Sequence, residues 1–253
     1  MKETEILISG AGSQMGQYFQ ESLEETLSQK VLAIQGHKEL DLRNKDEINE
    51  YINDLNVNSK RLIYLNLVSK FIWEEDKIGK KDLTNEPVEP SVLESIFLTS
   101  KNMVEALETQ IGNKYETLKV CNLGSISKGR MPAWYSFDKA HEMNREYLKR
   151  KIESNINMQG VYFFISSVDT AKERLVRPNK PLEEIEKEWM TGEEITQAAI
   201  PVILENIYKW QEINIFKPIP GNEDFYEHPE RNTKKWRKDM GENSSLLKKK
   251  LET

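Results

Sequence analysis

With 253 residues the chain has room for one sizeable α/β domain and is short for two. Its 36 Lys and Arg stand against 42 Asp and Glu, and the net charge of −6 is spread along most of the chain, which argues against a large basic field for nucleic acid. No apolar run approaches the roughly 20 residues needed to cross a bilayer. The single Cys121 cannot form an internal disulfide, and the opening MKETEILISG lacks the parts of a secretory signal, so a cytoplasmic protein with no membrane partner is expected.

Glu5 to Ser9 is a short apolar run ending at Gly10, which suits a strand buried on both faces of a parallel sheet. Met15, Phe19, Leu23 and Leu27 then recur at helical spacing over Gln14 to Leu27. Val31 to Ile34 reads as a second strand, Glu39 to Leu42 as a short third, Lys45 to Leu55 as a helix and Leu62 to Val68 as a strand. The alternation continues with helix Val92 to Leu107, strand Leu118 to Leu123, helix Tyr135 to Ile152 and strand Val161 to Ser166. A helix over Ile195 to Trp210 and a last strand over Ile213 to Phe216 complete it. Strands separated by helices imply right-handed crossovers, and so a doubly wound, Rossmann-like α/β fold with a parallel sheet in a single domain spanning residues 1–253.

Two stretches break the rhythm. Ile72 to Pro90 is polar and contains proline, and reads as a surface excursion. Ala171 to Thr191, with Arg174, Arg177 and Trp189, follows a strand and suits a lid over the ligand crevice, where the two arginines allow an anionic substrate. Trp73, Trp134 and Trp189 flank that crevice as a possible apolar wall. The polar segment 230–253, with Trp236 alone among charges, reads as a partly mobile tail or a contact with a neighbouring subunit.

Gly10, Gly12 and Gly16 sit where the first strand hands over to a helix. Glycine there permits positive φ and close approach of a pyrophosphate, whose charge the helix amino terminus favours. Ser13 and Met15 belong to the same cradle, although GAGSQMG is not the strict dinucleotide fingerprint. After the second strand come His37 and Lys38 and no acid, which leans towards NADP over NAD, while Asp41 and Leu42 are placed to meet the adenine edge. His141, Glu142 and Glu146 have no second histidine at i+4, so no metal site is read there.

Tyrosine followed four residues later by lysine occurs at Tyr115/Lys119, Tyr135/Lys139 and Tyr147/Lys151. On a helix such a pair shares a face, and the ammonium favours the ionised phenol. Tyr115 runs into a strand and Tyr147 lies on a charged face, whereas Tyr135 opens a helix just after the strand that carries Ser125, which selects Tyr135 and Lys139.

In these features the sequence resembles the short-chain dehydrogenase/reductase family. The matches are the turn Gly10 to Gly16, Asp41 with Leu42, Ser125 in NLGS, Tyr135 with Lys139, and the run Ser166 to Thr170 in place of the family's Pro-Gly-x-Val-x-Thr. They fall in the right order along nearly the whole chain, at the length of the classical branch, while ELDLR at Glu39 to Arg43 resembles the sugar-reductase side. Asn66, Leu67, Val68 and Ser69 replace the family's Asn-Asn-Ala-Gly, Ser127 competes with Ser125 for the serine position, and no asparagine stands near Val92 to Ser95.

The resemblance implies hydride transfer between NADP, or NAD, and a small carbonyl or alcohol substrate. Tyr135 would be the general acid or base, Lys139 would lower its pKa and hold the nicotinamide ribose, and Ser125 would bind the substrate oxygen. Asn66 and Val168 would flank the cofactor and Thr170 would meet its carboxamide. The resemblance also implies a homodimer or homotetramer built on the helices from Val92 and Tyr135. Two alternatives remain open: a sugar-nucleotide reductase of the extended branch, and a dinucleotide-sensing protein that keeps the cofactor and drops catalysis.

Overall fold

Burial alternates along the central strands of the computed structural model, with Ile6, Ile8, Ile63, Leu65, Cys121, Val161 and Phe163 on one side and Leu7, Leu62, Tyr64, Leu118, Val120, Tyr162 and Phe164 on the other. The structure describes residues 2–57, 59–80, 82–127, 131–206, 209–218 and 228–241. Strands β1 (Lys2–Ser9), β2 (Leu32–Ile34), β3 (Ser59–Asn66), β4 (Tyr115–Ser125), β5 (Met158–Ile165) and β6 (Trp210–Ile215) form one parallel sheet in the order β2-β1-β3-β4-β5-β6.

Helices cover both faces, so each strand must be apolar on both sides. On the first face pack α1 (Gln14–Leu27), through Phe19 and Leu23, and α8 (Gly192–Leu204), through Ile195, Ala199 and Ile203. On the second lie α2 (Lys45–Asp54), α4 (Thr99–Glu108) and α5 (Tyr135–Ser154), through Ile48, Ile52, Met103, Leu107, Leu148 and Ile152. The chain leaves β1 for β2 on one side and returns past β1 to β3 on the other, and this reversal opens a crevice beyond the strands' C-terminal ends.

The strand expected over Glu39 to Leu42 does not form. The amides of Glu39 and Leu40 both turn back to the Gly36 carbonyl, at 2.9 and 3.2 Å, and Leu40 and Leu42 enter the core as turn residues. Three-residue β2 is therefore a sheet edge. The helix expected from Val92 is α3 (Pro90–Leu93) joined to α4 by a π-turn over Glu94–Leu98.

The first polar stretch is more than a surface excursion, and the second, expected as a lid, carries two short helices. In the first, Trp73, Glu74 and Lys77 are buried, and the Glu74 carboxylate accepts from the Ser136 amide (2.6 Å) and hydroxyl (2.7 Å), capping the start of α5. Burial pushes the Glu74 carboxyl above the ordinary range even so. In the second, α6 (Ala171–Val176) and α7 (Leu182–Glu188) form.

Of the polar C-terminal segment, Pro229–Met240 is a helix, α9, packed on its own chain; 242–253 lie outside the described residues. Its Trp236 enters an aromatic cluster with Phe71, Trp73 and Trp134. Among the described residues no helix is long and apolar enough to cross a membrane.

Candidate active site

The glycine turn is fixed by backbone contact. A Cβ on Gly12 would stand 2.4 Å from the Gln35 carbonyl oxygen, and one on Gly16 would stand 2.3 Å from that of Gly10. Gly10 itself has φ +79°, the left-handed region that glycine adopts without strain. Ser13 caps α1: its hydroxyl accepts from the Gly16 amide at 3.0 Å and donates to the Gly10 carbonyl at 2.8 Å. The amides of Gln14 and Met15 are left at the open amino end of α1, the arrangement that attracts an anion. The Gln14 side chain reaches across to accept from the Ala171 amide at 3.0 Å, tying the turn to α6.

These elements wall a cavity of about 370 Å³. Ser13, Gln14 and Met15 stand at one side, Leu67 and Ser69 follow β3, and Leu123 to Ser127 end β4. Ile165 to Val168 and Thr170 come from the β5 end, Trp134, Phe137 and His141 from the start of α5, and Asn232 and Trp236 from α9. Its largest walls are apolar and aromatic, and hydroxyls supply most of the polar points. The Ser166 hydroxyl is buried without a hydrogen-bond partner.

Two polar networks reach the cavity. The hydroxyls of Ser125 and Ser127 are 2.6 Å apart, Ser127 donates to the buried Asp138 carboxylate, and the Trp134 indole donates to Ser127 at 3.1 Å. The second joins Ser69 to His141 Nε2 at 3.4 Å and His141 Nδ1 to the Tyr162 hydroxyl at 2.8 Å. Burial pushes the His141 imidazole down to about 3, so the ring is neutral at physiological pH.

Ser13, Met15, Ser125, Val168 and Thr170, separate points in the sequence reading, all line this cavity. Asn66 lies buried beneath it, accepting from Ser9 at 2.9 Å and from the Val68 amide at 3.1 Å while donating to Asn122 at 2.7 Å. Thr170 caps α6 and keeps its hydroxyl hydrogen for another acceptor.

Tyr135 and Lys139 are not among the lining residues. The segment that caps α5 also takes up this tyrosine: its hydroxyl donates to the Glu86 carbonyl at 3.1 Å, and Lys77 stands 5.6 Å from its ring centre. Lys139 pairs with Glu142 at 2.8 Å. The i, i+4 pair that α5 presents to the cavity is Phe137 and His141, whose rings meet edge to face with centres 4.6 Å apart.

At the far end of the crevice His37 and Lys38 are exposed on the turn after β2. The acid that seemed missing there is Glu39, whose carboxylate folds back to accept from the Gln35 amide at 2.7 Å. Asp41 is held by Arg43 through two 2.7 Å bonds, which push its carboxyl down to about 2, and Leu42 is buried in the core. Neither lid arginine is free for an anion: Arg174 pairs with Asp169, and buried Arg177 binds Glu173 and Ser167. Of the three tryptophans only Trp134 reaches the cavity. Asp138 carries no signal in the sequence, His141 is weighed there only as a metal ligand and Trp236 only as part of a polar segment, because each takes its role from partners outside its own helix.

A parallel sheet wound on both faces, with a glycine turn at β1 and a cavity over the strand ends, defines the doubly wound, Rossmann-like class of α/β proteins. No protein-family model and no curated protein matches this sequence. Among solved structures, the chain is similar to a gluconate 5-dehydrogenase from Burkholderia cenocepacia in complex with NADP and tartrate, with TM-score 0.66 and 12% identity over 87% of this chain and 96% of that one. It is also similar to an alcohol dehydrogenase from the archaeon Thermococcus sibiricus complexed with 5-hydroxy-NADP, with TM-score 0.62 and 12% identity over 85% and 97%. An actinorhodin polyketide ketoreductase with NADPH gives TM-score 0.62 and 12% identity over 87% and 98%. The fold is that of the short-chain dehydrogenases/reductases.

Proposed function

We propose that the protein is an oxidoreductase that binds a nicotinamide dinucleotide and transfers hydride between it and a small carbonyl or alcohol substrate. The observation that carries this reading is that the amino end of α1 and the ends of β4 and β5 enclose one cavity, with Ser125 in its wall. The residues fit the cofactor: the amides of Gln14 and Met15 would face its pyrophosphate, and Val168 and Thr170 would border its nicotinamide. Bound there, the dinucleotide supplies the hydride donor or acceptor. Around it the apolar walls exclude water and Ser125 holds the substrate oxygen.

The form we propose is NADP, with NAD the alternative. His37 and Lys38 offer positive charge for a 2′-phosphate, and Glu39 opposes it. We also propose a cytoplasmic homodimer or homotetramer, which size-exclusion chromatography with light scattering tests.

The proposal is tested by fluorescence titration of the purified protein with NADPH and NADH, followed by a screen of alcohols and carbonyls. Saturable binding is expected; no binding of either cofactor in either redox form overturns it. The Tyr135 bond to Glu86 favours a second reading, in which the cofactor is bound without hydride transfer. Turnover of an alcohol or carbonyl by the wild type separates the readings, since a sensor binds the cofactor and turns nothing over. Tyr135→Phe then tests the phenol alone: turnover falls by about a hundredfold or more if it moves the proton and is kept if another group does.

A further inference from the structure

The hydrogen-bond inventory at the Ser125 end of the cavity leaves few choices for where each hydrogen points. An ionised carboxylate only accepts and an indole N–H only donates. Ser127 therefore gives its one hydrogen to Asp138 and receives one from Trp134, which leaves it a lone pair for Ser125. Ser125 must be the donor in that 2.6 Å contact. Its oxygen also accepts from the Ser127 amide at 3.2 Å, and the lone pair that remains belongs to the cavity.

Asp138 lies in the first turn of α5, where the helix dipole favours the ionised carboxylate on which this direction depends. The His141 network has the same polarity. Tyr162 donates to the His141 carbonyl at 3.1 Å, so the imidazole hydrogen is on Nδ1, shared with the Tyr162 oxygen, and Nε2 is a bare acceptor towards Ser69 and the cavity.

We infer that Ser125, Ser127 and Asp138 form a proton-accepting relay, and that the cavity takes the hydroxyl of an alcohol in preference to the oxygen of a carbonyl. This rests on the dinucleotide reading for its chemistry and on the hydrogen-bond chain for its direction. In the oxidation, the C–H bond of the carbinol breaks and its hydride passes with its electron pair to an oxidised nicotinamide. The alcohol O–H proton goes to Ser125 as the Ser125 proton goes to Ser127 and the Ser127 proton to Asp138. A carbonyl forms and the carboxylate becomes a carboxylic acid. Ser125 touches the substrate; Ser127 and Asp138 act through it as positioning residues, on a route that does not use Tyr135.

Neutron diffraction from deuterium-exchanged crystals of the full chain tests the direction without any ligand. The expected density puts the Ser127 deuteron on the line to Asp138, the Ser125 deuteron on the line to Ser127, and none on Asp138. A Ser125 deuteron aimed into the cavity, or a deuterated Asp138, overturns the relay. An infrared difference spectrum of wild type minus Asp138→Asn gives a second readout: loss of an ionised-carboxylate band is expected, and loss of a protonated carboxyl band refutes the proposal. Titration with NADPH tests the cofactor reading separately, so either can fail alone.

Discussion

The guanidinium of Arg177 lies 3.9 Å from the ring centre of Trp236, with the Trp189 ring centre 4.2 Å from it as a second aromatic contact. This arrangement clamps α9 to the segment between β5 and α8, and it holds Trp236 at the cavity wall. Buried Lys180 reinforces it, reaching Glu188 on one side and Asp239 on the other.

Trp236→Ala removes an aromatic contact to a desolvated cation and opens the wall. We expect a loss of about 3 kcal/mol, from lost packing and cation–π attraction together. At 2–4 °C per kcal/mol that is roughly 6–12 °C in Tm, read by calorimetry. An unchanged melt would mean that α9 is not clamped.

Gly16→Ala places a methyl 2.5 Å from the Ala11 Cα as well as against the Gly10 carbonyl, both backbone atoms that cannot swing aside. The helix must shift from the strand, at a cost of about 1–3 kcal/mol. Gly36→Ala is the control, since nothing lies within 4 Å of its Cβ position. Urea melts should separate the two, and equal midpoints would refute the close packing.

His141 makes stability depend on pH. Its folded pKa, about 3, is far below the ordinary 6.5, so the unfolded chain takes up the proton first as pH falls. The contribution is complete above about pH 6.5 and falls by about 1.4 kcal/mol per pH unit on the way down to 3. By pH 5 the loss is roughly 2 kcal/mol. In His141→Gln this part of the acid slope disappears, and the two stability curves converge as pH falls; parallel curves would show that the ring titrates normally.

Glu39 and Lys38 set opposing charges at the β2 end. Glu39→Gln should raise affinity for NADPH more than for NADH, by several-fold, because a carboxylate repels the 2′-phosphate. Lys38→Ala should do the reverse. Fluorescence titration of each variant with both cofactors decides; an unmoved ratio places the adenosine elsewhere.

The parallel sheet was legible because its strands are apolar on both faces and bounded by helical periodicity, and α1 begins and ends where Met15 to Leu27 predicts. Glu39 to Leu42 looked like a strand because Leu40 and Leu42 alternate with acids, yet alternation shows only that two side chains are buried and not that the backbone pairs. The site was half legible. Ser13, Ser125, Val168 and Thr170 sit at strand ends, where position follows from topology. Tyr135 and Lys139 required knowing which side of α5 faces the crevice. Phe137 and His141, only two positions on, point to a different side of the same helix, and the segment from Trp73 to Glu89 decides between them by capping α5 and binding the Tyr135 hydroxyl.

The order β2-β1-β3-β4-β5-β6 has a kinetic consequence. Among the described residues no strand pairs with a partner reached by a tight turn; each parallel pairing must wait until an intervening helix has been made and swung across the sheet. Such distant pairings fold slowly and leave half-built strand edges open to other chains in the meantime. The doubly covered strands that shelter the cavity in the finished protein are therefore the segments most prone to aggregate during refolding, and recovery from denaturant should improve as the protein is diluted.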